Sequence, residues 1–162
     1  MSHNSLITPL VELLQQRSGD DGLSAEAVAE AFESSVRRSP EPGDSGLVSW
    51  LYRPVLATVH HVLGAHRSPH VRALANQGQS TAFTDEAIIE TCEQMLEQIA
   101  SESEPPLGDV LRELELSGRT LTASAVALQI APGKLRVWHR RARSHAIASV
   151  QSVAQRDGRS AT

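Results

Sequence analysis

Apolar residues recur at helical spacing along most of the chain. Leu6, Leu10, Leu13 and Leu14 share one face of a first short helix predicted over Leu6–Gln16. After the loop Ser18-Gly-Asp-Asp-Gly22, Ser24 is placed to cap a second helix that runs to about Arg38. Its hydroxyl can accept from the unpaired N–H groups of a first turn. Val28, Phe32 and Val36, spaced by four, form the stripe that this helix buries. The run SPEPGDSG, Ser39 to Gly46, breaks the pattern. A third helix, from about Leu47 to Leu63, turns Leu47, Val48, Leu51, Val55, Val59 and Leu63 inward. Pro54 lies inside it and either kinks it or starts a new segment. From Gly64 to Thr84 the pattern is weak, with a helical turn or two near Ser68–Ala75 and a flexible stretch at Gln77-Gly-Gln-Ser-Thr.

The pattern then resumes. Thr84 caps a helix whose face is Ile88, Ile89, Cys92, Met95, Leu96 and Ile99, and Phe83 staples onto Ile88. Ser101 to Pro106 ends it. Leu107, Val110, Leu111 and Leu114 mark another short helix, closed by Ser117-Gly118. The stretch Thr120–Ala146, TLTASAVALQIAPGKLRVWHRRARSHA, reads as two helices joined by a tight turn. The first, Thr122–Leu128, turns Ala125 and Leu128 inward, and Ile130 looks inward from the turn. The second opens at Ala131-Pro132 and runs past Arg143. Proline suits a first helical turn, where its missing N–H would be unpaired anyway. Leu135, Trp138, Ala142 and Ala146 recur at helical spacing, and Lys134, Arg136, Arg140, Arg141 and Arg143 fall mostly on the remaining surface. A helix, a turn and a second helix with an apolar back and a basic front is the pattern of a DNA-binding helix-turn-helix. The expected fold is all-α in two small parts. An N-terminal helical part spans 1–66, a linker 67–83, a helix-turn-helix domain 84–150 and a flexible tail 151–162.

Composition narrows this picture. With 162 residues, 40% hydrophobic and only 3% aromatic, the core must be aliphatic, which favours helices over sheet. A single cysteine, Cys92, excludes a disulfide within the chain and points to a reducing cytoplasm. It lies between Ile88 and Leu96 on the apolar stripe, where a thiol is buried and inert. No apolar run has the length of a membrane span, and Met1-Ser-His-Asn begins no signal peptide, so no membrane contact is expected. His60, His61, His66 and His70 cluster, but Val55–Thr81 contains no Asp, Glu or Cys to complete a zinc site. No glycine-rich phosphate loop and no catalytic triad signature is present, so neither enzyme activity nor a cofactor is expected.

The formal net charge of −4 hides a polarity. From Asp85 to Glu115 the charges are acidic except for Arg112, whereas from Arg119 onward Asp157 alone is acidic. Such asymmetry puts a nucleic-acid surface beside a solvated or partner-binding one. Between Arg119 and Arg143 a polyanion meets an uninterrupted positive field.

The run QIAPGKLRVWHRRAR resembles the end of region 4 in bacterial sigma factors of the sigma-70 family. In the extracytoplasmic-function group that stretch typically reads like LGISPGTVRSRLHRAR. Ile130, Pro132, Gly133, Arg136, Arg141, Ala142 and Arg143 stand at matching places. SWLYR, Ser49 to Arg53, resembles the WLYRIARN stretch of region 2. Glu30-Ala31-Phe32 resembles the QEVF of the helix before it, which in the family binds the polymerase clamp. Pro105 to Leu114, PPLGDVLREL, is similar to the opening of region 4. Several residues depart from the family. Gln129 stands where the turn usually has glycine, Ser124 replaces an apolar residue, His139 a buried leucine and Trp138 an arginine, which suggests a slight helix rotation that buries Trp138. Ala57 stands at the asparagine of the promoter-melting helix, and Val62-Leu63-Gly64-Ala65 has no cation where the family is basic.

The resemblance implies a transcription initiation factor with double-stranded promoter DNA and core RNA polymerase as partners, and it admits an anti-sigma factor. The implied DNA-binding residues are Gly133, Lys134, Arg136, Val137, Arg140, Arg141 and Arg143. Arg136 and Val137 are nearest to base edges, and Arg140, Arg141 and Arg143 are placed for phosphates. The implied polymerase-binding residues are Glu30, Phe32, Trp50 and Arg53. A rival reading keeps the sigma-like fold but makes the chain a helical adaptor that acts through protein contacts without promoter activity.

Overall fold

The structure, a computed structural model, describes residues 6–18, 23–65, 68–70, 72–73 and 83–160, with 154–160 described as backbone alone. Its regular elements are all helical: α1 Thr8–Ser18, α2 Ala25–Arg38, α3 Leu47–Gly64, α4 Asp85–Glu102, α5 Pro105–Leu111, α6 Leu121–Leu128 and α7 Pro132–Ser160. The all-α expectation therefore holds among the described residues. The 67–83 linker falls mostly outside them; within it, the Arg72 N–H donates to the Ser68 carbonyl at 3.0 Å, one helical turn.

Capping follows the sequence. Ser24 Oγ accepts from the N–H groups of Glu26 and Ala27 at the start of α2. Thr84 Oγ1 and Thr120 Oγ1 accept from Ala87 and Ala123 at the starts of α4 and α6. Each hydroxyl satisfies an orphan donor of a first turn. Gly46, before α3, has no side chain to do this. α3 runs unbroken through Pro54, although that residue supplies no N–H for the Trp50 carbonyl. The Thr58 hydroxyl donates to the Pro54 carbonyl at 2.6 Å, and Pro54 itself is buried.

α2 packs against α3 and α7, α3 against α4, and α5 against both α4 and α7; α1 lies on α4 and α2. One apolar cluster runs from Leu6 through Val28, Phe32, Leu51, Ile88, Met95 and Leu111 to Leu135 and Val153. The two parts that are distinct in sequence thus share a core. Between α4 and α5 the backbones nearly touch: a Cβ added to Gly108 would lie 2.4 Å from the Ala100 carbonyl oxygen. Only a residue without a side chain allows this approach.

Two expectations change. Ile89 is 40% exposed, because the buried stripe of α4 runs Ile88, Cys92, Met95, Leu96, Ile99 and leaves Ile89 just outside its edge. Val48 is only half-buried. α7 itself extends as far as Ser160, and Val150 and Val153 carry its apolar stripe into the core.

Candidate nucleic-acid interface

The C-terminal unit is built on α5, α6 and α7. Past Leu111 the chain widens into a π turn, Arg112–Leu116, closed by the Ser117 N–H on the Arg112 carbonyl at 2.8 Å. Gly118, at φ +73, turns the chain toward α6. α6 ends at Gln129, which takes the left-handed conformation at φ 57 and ψ 44. A residue with a Cβ pays about 1 kcal/mol for that conformation. The Ile130 N–H returns to the Ala125 carbonyl at 3.0 Å and closes the end of the helix. α7 then begins at Pro132.

The buried side of this unit is Ala125, Ser124, Leu135, Ala142 and Ala146, with Leu128, Ile130 and Trp138 half-buried beside them. The Ser124 hydroxyl is buried and has no hydrogen-bond partner among the described residues. Trp138, expected inside, lies at the rim, and the Lys134 ammonium sits 5.3 Å from the centre of its ring. A slight rotation has therefore not carried the indole fully into the core.

The opposite side of α7 is open. Gly133, Lys134, Arg136, Val137, Arg140 and Arg141 are all exposed. Lys134, Arg136, Arg140 and Arg141 form no ion pair among the described residues. Arg119, by contrast, is held by Glu113 at 2.9 Å.

Arg143 differs from these six. Its side chain is 16% exposed, and both terminal nitrogens of its guanidinium are engaged inside the protein. Nη1 donates to Glu115 Oε2 at 3.0 Å, and Nη2 donates to the carbonyls of Gly43 and Ser45 at 2.9 and 2.8 Å. Arg143, expected on phosphate, lies on the side of α7 that faces α2 and the loop before α3 and makes this internal contact.

Glu115, 5% exposed in its side chain, is the centre of this junction. Oε1 accepts from the Leu47 N–H at 2.9 Å, the first residue of α3. Glu115 thus caps from a distance the helix that Gly46 leaves uncapped, and its negative charge meets the positive end of the α3 dipole. Oε2 accepts from His139 Nε2 at 2.6 Å as well as from Arg143. Burial pushes the Glu115 carboxyl up, but the hydrogen bonds from His139, Leu47 and Arg143 together outweigh it and hold the carboxyl below its ordinary value. His139 is therefore the half-buried hydrogen-bond partner of a buried carboxylate. Gly43, at φ +59, starts the turn closed by the Ser45 N–H on the Pro42 carbonyl, and that turn presents both carbonyls to Arg143.

Sequence reasoning missed this junction by counting Glu115 with the acidic surface. One signal was present: Glu115 follows the buried Leu111 by four residues, which places it on the inner stripe. A second ion pair, between Arg112 and Glu97 at 2.8 Å, fastens the π turn to α4, and the Tyr52 hydroxyl meets Asp85 between α3 and α4. The Arg112 hydrogen bond lowers the Glu97 carboxyl.

The residues expected to meet polymerase divide. Glu30 and Arg53 are exposed. Phe32 is fully buried, and Trp50 is buried with its indole N–H on the Pro40 carbonyl at 2.8 Å. Both belong to the core between α2 and α3 and present no surface to a partner in this conformation. His60, His61 and His70 are exposed, whereas His66 lies outside the described residues. Among the described residues no three His, Cys, Asp or Glu side chains converge on a metal-sized site. Burial pushes the Cys92 thiol up to about 12, so it stays protonated. Among the described residues no helix is long and apolar enough to cross a membrane.

No family model, no curated protein and no solved structure matches the chain.

Proposed function

We propose that this chain is a DNA-binding transcription factor of the sigma-70 kind that grips promoter duplex through α6, the Gln129 turn and α7. One observation carries the reading. Lys134, Arg136, Arg140 and Arg141 stand in solvent on α7, the second of two helices joined by the turn at Gln129, and no acidic residue occurs between Arg119 and Asp157. In such a unit the N-terminal turns of the second helix enter the major groove, and the first helix crosses the backbone. Gly133, Lys134, Arg136 and Val137 then face base edges, while Arg140 and Arg141 neutralise phosphates. Arg143 acts indirectly, by fixing the angle at which α7 leaves the body. Core RNA polymerase is the protein partner of this reading, met through exposed residues such as Glu30 and Arg53, and the cytoplasm is its compartment.

A second reading has its own support. Phe32 and Trp50 are buried, and the end of α3 is Val62, Leu63, Gly64 and Ala65, without a cation to stabilise melted DNA. These features favour a sigma-like adaptor that binds its partners without opening promoters.

The experiment is a pull-down with core RNA polymerase followed by run-off transcription from duplex selected by the chain itself. Polymerase binding with discrete transcripts supports the initiation factor. Polymerase binding without transcripts supports the adaptor. A chain that retains neither polymerase nor duplex contradicts both.

A further inference from the structure

Among the described residues, three large apolar side chains are exposed: Ile89 at 40%, Val126 at 74% and Val137 at 48%. Two of the three lie in the helix-turn-helix, and Val137 lies within the stretch of α7 that the DNA-binding reading aims at base edges. A water-exposed branched aliphatic residue in the middle of a cationic surface needs an explanation, because it contributes nothing to solubility or to phosphate binding.

We infer that Val137 reads the 5-methyl group of thymine, so that the ligand of this face is duplex DNA carrying a thymine in the major groove. The inference rests on the DNA-binding reading above. Gly133, Val137 and Arg140 follow one another at helical spacing along the open side of α7. Nothing lies within 4 Å of the place where a Cβ on Gly133 would sit, so that turn presents bare backbone and permits a close approach. One turn on, Val137 offers methyl groups, and its neighbours Arg136 and Arg140 are free cations on either side. The major groove is wide enough for a helix, and the thymine methyl is the apolar group it displays. Valine has no side-chain donor or acceptor, so it discriminates by that methyl and by nothing else. Arg136, beside it, has the forked donors that match the O6 and N7 acceptors of guanine. RNA fails on two counts: its major groove is too deep and narrow for side chains to read, and uracil lacks the methyl.

The test uses the full chain. Sites are first selected from a random-sequence duplex pool, and each thymine of the preferred site is then replaced in turn by deoxyuridine, which removes the methyl alone. At one position the parent should bind the deoxyuridine duplex roughly fourfold more weakly, the value of one buried methyl group. Val137→Ala should bind the two duplexes alike. The variant should stay folded, because the position is exposed and alanine is a strong helix former, and a CD melt checks this. Ile89→Ala, which changes an exposed apolar residue on α4, should keep the fourfold difference. If the parent shows no deoxyuridine effect, or Val137→Ala retains it, the inference fails while DNA binding stands. If the chain selects no duplex at any salt concentration, the inference falls together with the DNA-binding reading, and Val137 belongs to a protein-contact surface.

Discussion

Along its outer face α7 carries Lys134, Arg136, Arg140 and Arg141 in solvent, whereas along its inner face it carries His139 and Arg143 locked onto Glu115. Arg140 and Arg143 are less than one turn apart and chemically identical. One has no ion-pair partner among the described residues; the other bridges a buried carboxylate and two carbonyls of the loop before α3. The difference teaches that a run of arginines is a statement about charge, and that each arginine's role is set by what the rest of the chain brings to it. The outer face stands in solvent, where the proposed duplex would meet it. The inner face fixes where the outer one points.

The largest effect should come from breaking the inner face. Arg143→Ala leaves Glu115 buried without its arginine, and Glu115→Ala leaves Arg143 without its carboxylate and the first N–H of α3 without its acceptor. Loss of one partner from a buried pair typically costs about 3–5 kcal/mol. Urea melts of both variants should show losses of that order, and the double variant should lose less than the sum. The same junction has a pH signature. Because the Glu115 carboxyl is held below its ordinary value of 4.5, its contribution is fully present above that value and is lost as pH falls through the folded pKa. The stability gap between parent and Glu115→Gln should therefore shrink in acid as pH falls below about 4.5. A gap that widens in acid would remove the ionised Glu115 from the centre of the junction.

A smaller loss is expected from Gly108→Ala. The added Cβ meets the Ala100 carbonyl at 2.4 Å, so α5 must shift away from α4, and the π turn that holds Glu115 shifts with it. Overpacking of this kind costs about 1–3 kcal/mol. A gel shift at fixed salt would sharpen the comparison, because a tilted α7 should weaken DNA binding without any change on the outer face. The smallest effect has the opposite sign. Ser124 lies beneath the outer face with its hydroxyl buried and unpartnered. Ser124→Ala removes that unmet polar group and should raise stability by about 1 kcal/mol, read as a higher Tm.

The helices were legible because their signals are local. Val28, Phe32 and Val36 repeat within one element, and the caps Ser24 and Thr84 sit next to the N–H groups they satisfy. The two helices α6 and α7 and the turn between them were legible for the same reason. The junction was not, because its members are far apart: Arg143 is 28 residues from Glu115 and 100 from Gly43. No periodicity links such positions. The sharing of one core between the two parts was hidden in the same way. It follows from α7 lying on α2, and the residues between the parts carry no pattern that announces it. The burial of Phe32 and Trp50 shows a further limit. A motif that resembles a partner-binding segment also contains the apolar residues that build the core beneath it.

The most direct test of the outer face is an anisotropy titration of labelled duplex DNA at several salt concentrations. It compares the parent with a variant in which Lys134, Arg136, Arg140 and Arg141 are all replaced by glutamine. These side chains are exposed and form no ion pair among the described residues, and only Lys134 gives up a contact, with the Trp138 ring, so the variant should melt within about 2 kcal/mol of the parent. The parent's affinity should fall steeply with salt, and the variant's slope should be shallower by about two units of log K against log salt, from the loss of Arg140 and Arg141 on phosphates. A folded variant that binds duplex as tightly as the parent, with the same salt slope, would contradict the account.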